Sequence, residues 1–189
     1  MIQYLMAMYD MTKEQARIKV SQDLKGGKIE SVQKEQEYLE SFSYTEEEQP
    51  TTFQAHRYLV KERKLPNRIV KKFIENGLIR ESVYQEVIFK WKKNQCVVGY
   101  SKQGTVKLTK EQQKRYRTER TYFKYIAPTT EEDTYGGFNY LVGQPKNIYF
   151  FESAIDLLSY YTLYESELHS IGDFWLVSYE GLGAGKKNC

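Results

Sequence analysis

The stretch NIYFFESAIDLLSYYTLYESEL, residues 147–168, followed by DFWLVSYEG, residues 173–181, decides the reading of this chain. A dense apolar run from Ile148 to Phe151 ends in a carboxylate, Glu152. The next segment is helical in pattern, with Ile155, Leu158, Tyr161 and Leu163 on its packed side. A second apolar run then begins at Phe174. Strand, helix and strand at this spacing predict a βαβ unit with parallel strands, because only antiparallel strands can be joined by a short hairpin. Glu152 is expected at the tip of an inner strand, and ligands of open parallel sheets gather beyond the carboxyl ends of the strands. Asp156 lies four residues on, about one helical turn, so both carboxylates can face one crevice. Clustered oxygens of this kind suit Mg²⁺ and chemistry on phosphates. The same residues also fit a plainer arrangement, with both acids in the positive end of the helix dipole and Ser153 as cap.

Upstream, Thr52 is placed to cap a helix FQAHRYLVKERK, and Leu65-Pro66-Asn67 breaks it. A second helix, NRIVKKFIENG, turns Ile69, Val70, Phe73 and Ile74 inward and puts Gly77 just past its end. The pair is either a packing unit or a helix-turn-helix. VYQEVIFKW and QCVVGYS read as strands joined at Lys92-Lys93-Asn94. Leu108 to Arg117 reads as a charged helix or arm, and RTYFKYIA and GGFNYLVG as further strands. Near the start, Ile2, Leu5, Met6 and Tyr9 have helical spacing, and Thr12 with Gln15 forms a capping-box pattern that opens a helix stopped at Gly26-Gly27. Gln36 to Phe42 is a candidate short helix, and the Glu-rich run to Pro50 reads as a linker.

Length and composition narrow the class. The chain has 189 residues, 40% hydrophobic and 28% charged, which fits a folded domain or slightly more. No apolar run approaches the ~18 residues of a membrane helix, and the N-terminus lacks the basic start of a signal peptide. Cys96 and Cys189 are too far apart for a disulfide framework or a zinc site, so a reducing cytoplasm is expected. His56 and His169 have no neighbours in sequence that would make them ligands. Formal net charge is +3, but unevenly spread. Residues 28–49 hold seven glutamates against two lysines, whereas residues 90–124 hold eleven basic residues against two acidic ones. Such asymmetry fits either a nucleic-acid face on the basic body or a solvated surface.

The motif NIYFFESAID resembles the opening of a Toprim domain, the fold shared by bacterial primases, topoisomerases and some nucleases. That motif is an apolar strand ending in Glu, with Asp four residues later. WLVSYEGLGAG resembles the second Toprim strand and its glycine turn. FESAIDLLS is similar to the Toprim modules of plasmid and conjugative-transposon proteins of the LtrC type. AHRYLVKERKLPNRIVKKFIENGLI resembles the helical start of a primase catalytic core, VIFKWKKNQCVVGYSKQGT its Val-Val-Gly strand pair, and FKYIA its Lys-Tyr segment. MIQYLMAMYDMTKEQARIKVSQDL resembles the helices after a primase zinc ribbon, whose Cys and His ligands this chain lacks. The Asp-x-Asp strand of a complete Toprim site is absent as well, and Lys102 stands where an Arg is expected.

The expected fold class is therefore α+β: a helical segment and acidic linker (1–50), a basic primase-core-like subdomain (51–143), and the first half of a Toprim domain (144–189). The resemblance implies Glu152 as catalytic group, Glu152 and Asp156 as metal ligands, and Lys102, Lys124 and Arg120 as nucleic-acid contacts. It implies Mg²⁺, weak or absent in this stretch alone, and no zinc. The implied partners are single-stranded DNA, nucleotides and replication or transfer proteins, with no membrane. On this reading the chain is a part, inactive by itself, of a primase-like enzyme of mobile elements. The alternative is a non-catalytic single-strand-binding module in which Tyr100, Tyr122 and Tyr125 either stack on bases or pack within the sheet.

Overall fold

The computed structural model describes residues 12, 14, 15, 39–130, 133 and 136–180. The chain divides into two units, Met1–Gln36 and Glu37–Cys189. In the first, Thr12 and Gln15 form the expected reciprocal cap: Gln15 N donates to Thr12 Oγ1 at 3.3 Å and Thr12 N to Gln15 Oε1 at 2.9 Å. The expected helix at Ile2–Tyr9, the Gly26-Gly27 stop and the glycine turn after Glu180 lie outside the described residues.

The second unit is mixed α+β, as expected. Its elements are α1 (Phe53–Arg57), running directly into a π-helical turn (Tyr58–Glu62), α2 (Asn67–Glu75), β1 (Ile79–Glu81), β2 (Val87–Lys93), β3 (Cys96–Lys107), α3 (Lys110–Arg115), β4 (Tyr122–Ile126), β5 (Asn139–Val142), β6 (Asn147–Phe151), α4 (Ala154–Ile171) and β7 (Phe174–Ser178). Strands β1-β2-β3-β4 form an antiparallel sheet, and β5-β7-β6 a mixed one. The β6–β7 pair is parallel, in register from Asn147↔Phe174 to Phe151↔Ser178, so the βαβ unit is present. One expectation is corrected: among the described residues β7 is the central strand and β6 is at the edge, because β5 takes the other side of β7. The 143/144 boundary falls inside this sheet.

Local chemistry explains most of the elements. Gly77 has φ +65°, the left-handed conformation that ends α2. Asn94 and Gln95, both at positive φ, make the β2–β3 turn one residue later than expected. Thr109 and Gln112 form a capping box on α3. Thr52 does not cap α1; the buried Glu81 carboxylate does so from β1, accepting from Ala55 N at 2.8 Å. β1 itself, three residues long, was not foreseen.

The two faces of the first sheet differ by strand alternation. Val87, Phe89 and Trp91 point toward the helices and join one core with Phe73, Phe138, Leu157, Tyr161 and Phe174. Trp91 is paired with Gly99, where any Cβ would overlap the indole ring. Ile88, Tyr100 and Ala127 face the other way, and Phe42 and Tyr44 pack on them. The supposed acidic linker is thus a strap. Residues 42–47 have no regular structure, yet Phe42, Tyr44, Glu46 and Glu48 are half-buried, while Ser43, Thr45 and Glu47 are exposed. Backbone bonds Leu39 N to Thr129 O, Val83 N to Glu47 O and Gln49 N to Glu81 O fasten it, and no helix forms at Leu39–Phe42.

Candidate active site and nucleic-acid surface

The carboxyl ends of β6 and β7 carry the first group of candidate residues. Glu152 directly follows β6 and is exposed. Ser153 is the N-cap of α4: its Oγ accepts from Asp156 N at 3.3 Å and donates to Asp156 Oδ2 at 2.7 Å. Asp156 is exposed in the first turn, where the helix dipole favours an anion. The plainer cap arrangement is therefore present, with Glu152 left outside it. Tyr179 N donates to Phe151 O at 2.8 Å, which extends the parallel pairing to the strand tips.

Glu180, at the tip of β7, is a site residue that the sequence reading missed. It is 3% exposed, at φ +56°. Its carboxylate accepts from Ser178 Oγ at 2.6 Å and stands 3.3 Å from Lys124 Nζ, which also donates to the Glu180 carbonyl at 3.2 Å. The signal was a carboxylate just past the second apolar strand, matching Glu152 past the first. Lys124 and Ser178 neutralise and satisfy this carboxylate, so it is not free for a cation. Among the described residues no three His, Cys, Asp or Glu side chains are grouped to hold a metal ion. Glu152 and Asp156, one of whose oxygens is taken by Ser153, have no third such group beside them among the described residues and do not make a Mg²⁺ site.

The expected basic residues are not brought together. Lys102 pairs with Tyr125 in register, while Lys124 pairs with Gln103, so the two lysines point to opposite faces of the sheet. Lys124 joins Glu180 on the core side. Lys102 lies under the strap, 3.2 Å from both Glu46 oxygens and 3.3 Å from Glu86, with its ammonium 5.2 Å from the Tyr125 ring centroid. Burial alone would lower the Lys102 pKa, but Glu86 and Glu46 outweigh it and hold it above the usual lysine value. Arg120 is exposed on the α3–β4 connection, and its carbonyl accepts from Gln113 Nε2 at 2.9 Å.

Lys90 contacts the Glu48 carboxylate and lies 4.4 Å from the Tyr44 ring centroid. Arg80 Nε is 3.5 Å from Glu48. Tyr44 Oη donates to Glu48 at 2.7 Å and Tyr100 Oη to Glu46 at 2.7 Å. Burial and these carboxylates push both phenols well above the usual tyrosine pKa. Tyr100 and Tyr125 thus pack under the strap, and Tyr122 packs edge-on to Tyr58 at 5.2 Å.

Comparison with known proteins matches one part of this unit. Residues 57–125, from the end of α1 to β4, match the model of a family described as a protein of unknown function, DUF3991. An uncharacterized Bacillus anthracis protein, pXO2-78, named for the pXO2 plasmid, is 38% identical over 144 residues. The match covers 75% of this chain and 38% of that protein, so it takes in well under half the length of the relative. No solved structure matches the chain. Among the described residues no helix is long and apolar enough to cross a membrane.

Proposed function

We propose that this chain is part of a primase-like Toprim protein that acts on DNA in the replication or transfer of a mobile element. Nucleotidyl or phosphodiester chemistry belongs to the longer protein, and the residues described here turn over little alone. The carrying observation is the parallel β6–α4–β7 unit with exposed Glu152 at its carboxyl end, joined through one core to an antiparallel sheet. Glu152 is the acid–base candidate, with Asp156 in the first turn of α4 and the Lys124–Glu180 pair at the neighbouring tip of β7. A relative named for a plasmid accords with a mobile-element setting.

A second reading, a non-catalytic single-strand-binding module, draws on a different observation: the aromatic and cationic sheet face that carries Tyr100, Tyr125, Lys90 and Lys102. Photocrosslinking of the whole chain to a thiothymidine-containing single strand separates the two. Adducts on peptides holding Glu152–Asp156 or Ser178–Glu180 support the primase-like reading. Adducts confined to residues 88–127 favour the module. Binding that does not weaken between about 50 and 200 mM salt counts against both, since phosphate contacts release counterions.

A further inference from the structure

The strap covers the sheet with a repeating chemistry. Phe42 and Tyr44 lay rings on Tyr100, with centroids 6.3 and 5.5 Å apart. Two and four residues further on, Glu46 and Glu48 set carboxylates on Lys102, Lys90 and Arg80. Below them are Tyr100 and Tyr125, centroids 6.2 Å apart, flanked by those cations on adjacent strands. Stacking platforms beside cations are what a sheet offers to a single-stranded nucleic acid, whose bases stack while its phosphates pair with Lys and Arg. Phe42, Tyr44, Glu46 and Glu48 present to that surface the same two elements, flat rings and anions.

We propose that the face formed by Arg80, Lys90, Tyr100, Lys102 and Tyr125 is a binding surface for single-stranded nucleic acid, which the strap of residues 39–50 occupies in cis and an incoming strand displaces. The proposal rests on the nucleic-acid readings above and adds the regulation of that surface. The strap suits the part of a displaceable cover. Over residues 42–47 it makes no strand ladder: three backbone hydrogen bonds, at Leu39, Glu47 and Gln49, hold its ends, and its polar anchors over the sheet face are side-chain ion pairs that phosphates can replace. Lys102 keeps Glu86 as an ion-pair partner when the strap leaves, whereas Lys90 and Arg80 lose Glu48 and become free for phosphate. Fractional occupancy by a cis competitor weakens apparent affinity by the fraction of time that the surface is open.

The test is fluorescence anisotropy with a labelled single strand of about 16 nucleotides, using the whole chain. Glu46→Gln/Glu48→Gln is expected to bind at least about tenfold tighter than wild type, because the open fraction rises. Glu40→Gln/Glu47→Gln removes the same charge from exposed strap positions and is expected to change affinity about threefold or less, since distant exposed charges are screened. Lys90→Gln/Lys102→Gln is expected to lose the gain. In wild type, hydrogen exchange at the amides of Leu39, Gln49 and Val83 is expected to accelerate when the strand saturates the protein. That readout needs no variant to fold. Equal tightening by both glutamine pairs, or strap amides equally or better protected in the complex, overturns the cis-occupancy proposal and leaves nucleic-acid binding standing. Absence of binding by wild type and every variant at low salt overturns the nucleic-acid readings themselves.

Discussion

Tyr161→Phe should expose how the two sheets are joined. Tyr161 is fully buried on α4, and its hydroxyl meets Lys72 of α2, Glu165 at 3.1 Å and His169 Nε2 at 3.0 Å. Residues 161, 165 and 169 recur every fourth position: Tyr161 and Glu165 meet α2, while His169 backs the Tyr161 hydroxyl from beyond the non-helical Tyr164. Arg68 and Lys72, also four apart, answer from the other helix, and Lys72 Nζ sits 4.9 Å from the Tyr161 ring centroid. Burial is the main cause that pushes the Tyr161 phenol up to about 12, so it stays a neutral donor throughout the ordinary pH range. The Phe variant keeps the ring and its packing and removes only the hydroxyl. A hydrogen bond to a charged group contributes about 1.5–3 kcal/mol. Lys72 is partly exposed and rehydrates, which places the expected loss near 2 kcal/mol. For a chain of this size that corresponds to about 4–8 °C in Tm. Urea unfolding followed by tryptophan fluorescence measures it, and a cycle with Lys72→Met should show about 1 kcal/mol of coupling. Arg68→Ala, whose side chain is 65% exposed, should stay within about 0.5 kcal/mol. A Tyr161→Phe loss no larger than that of Arg68→Ala, or zero coupling to Lys72, would refute the view that this cluster fastens α2 to α4.

Stability should fall on the acid side. Burial raises the Glu48 and Glu165 carboxyls, but their hydrogen bonds and neighbouring cations outweigh it and hold both below the usual range. Their contribution is complete above the unfolded value of about 4.3 and is lost as pH falls through the lower folded values. Urea midpoints from pH 7 to 3 should therefore drop less steeply in Glu48→Gln/Glu165→Gln, and parallel slopes would contradict the assignment. Gly99→Ala drives a methyl into the buried Trp91 ring and should cost about 3 kcal/mol or prevent folding, read by circular dichroism; a melt like wild type would mean that the indole can move aside. Glu152→Gln, at an exposed strand tip, should shift unfolding by no more than about 0.5 kcal/mol. Loss of cooperative melting in that variant would place Glu152 among the supports of the fold.

What could be read from sequence follows the strength of local signals. The parallel pair was legible because two apolar runs flank a long helical pattern that leaves no room for a hairpin. Its strand order was not: nothing between Gly136 and Phe174 says whether β5 or β6 ends at the edge. β1 escaped because it is three residues long and follows directly on the helix-ending Gly77. The strap was misread because a high glutamate content signals solvation, and its sign of burial, alternation at Phe42, Tyr44, Glu46 and Glu48, depends on a sheet contributed by distant residues. At the site, Glu152 and Asp156 could be located by spacing. The separation of Lys102 from Lys124 follows from register, which the sequence does not display. Glu180 was hidden for a similar reason, since its pairing with Lys124 spans 56 positions.

The strap also governs where this protein can be cut. The stretch matched by the family model, residues 57–125, begins after the strap and ends before the second sheet. A fragment trimmed to it would bare Ile88 and Tyr100 on one side, would take Phe138 from Phe89 on the other, and would strand Lys90 without Glu48. The segment that the family model delimits is thus shorter than the segment whose buried faces cover one another, which reaches back at least to Phe42.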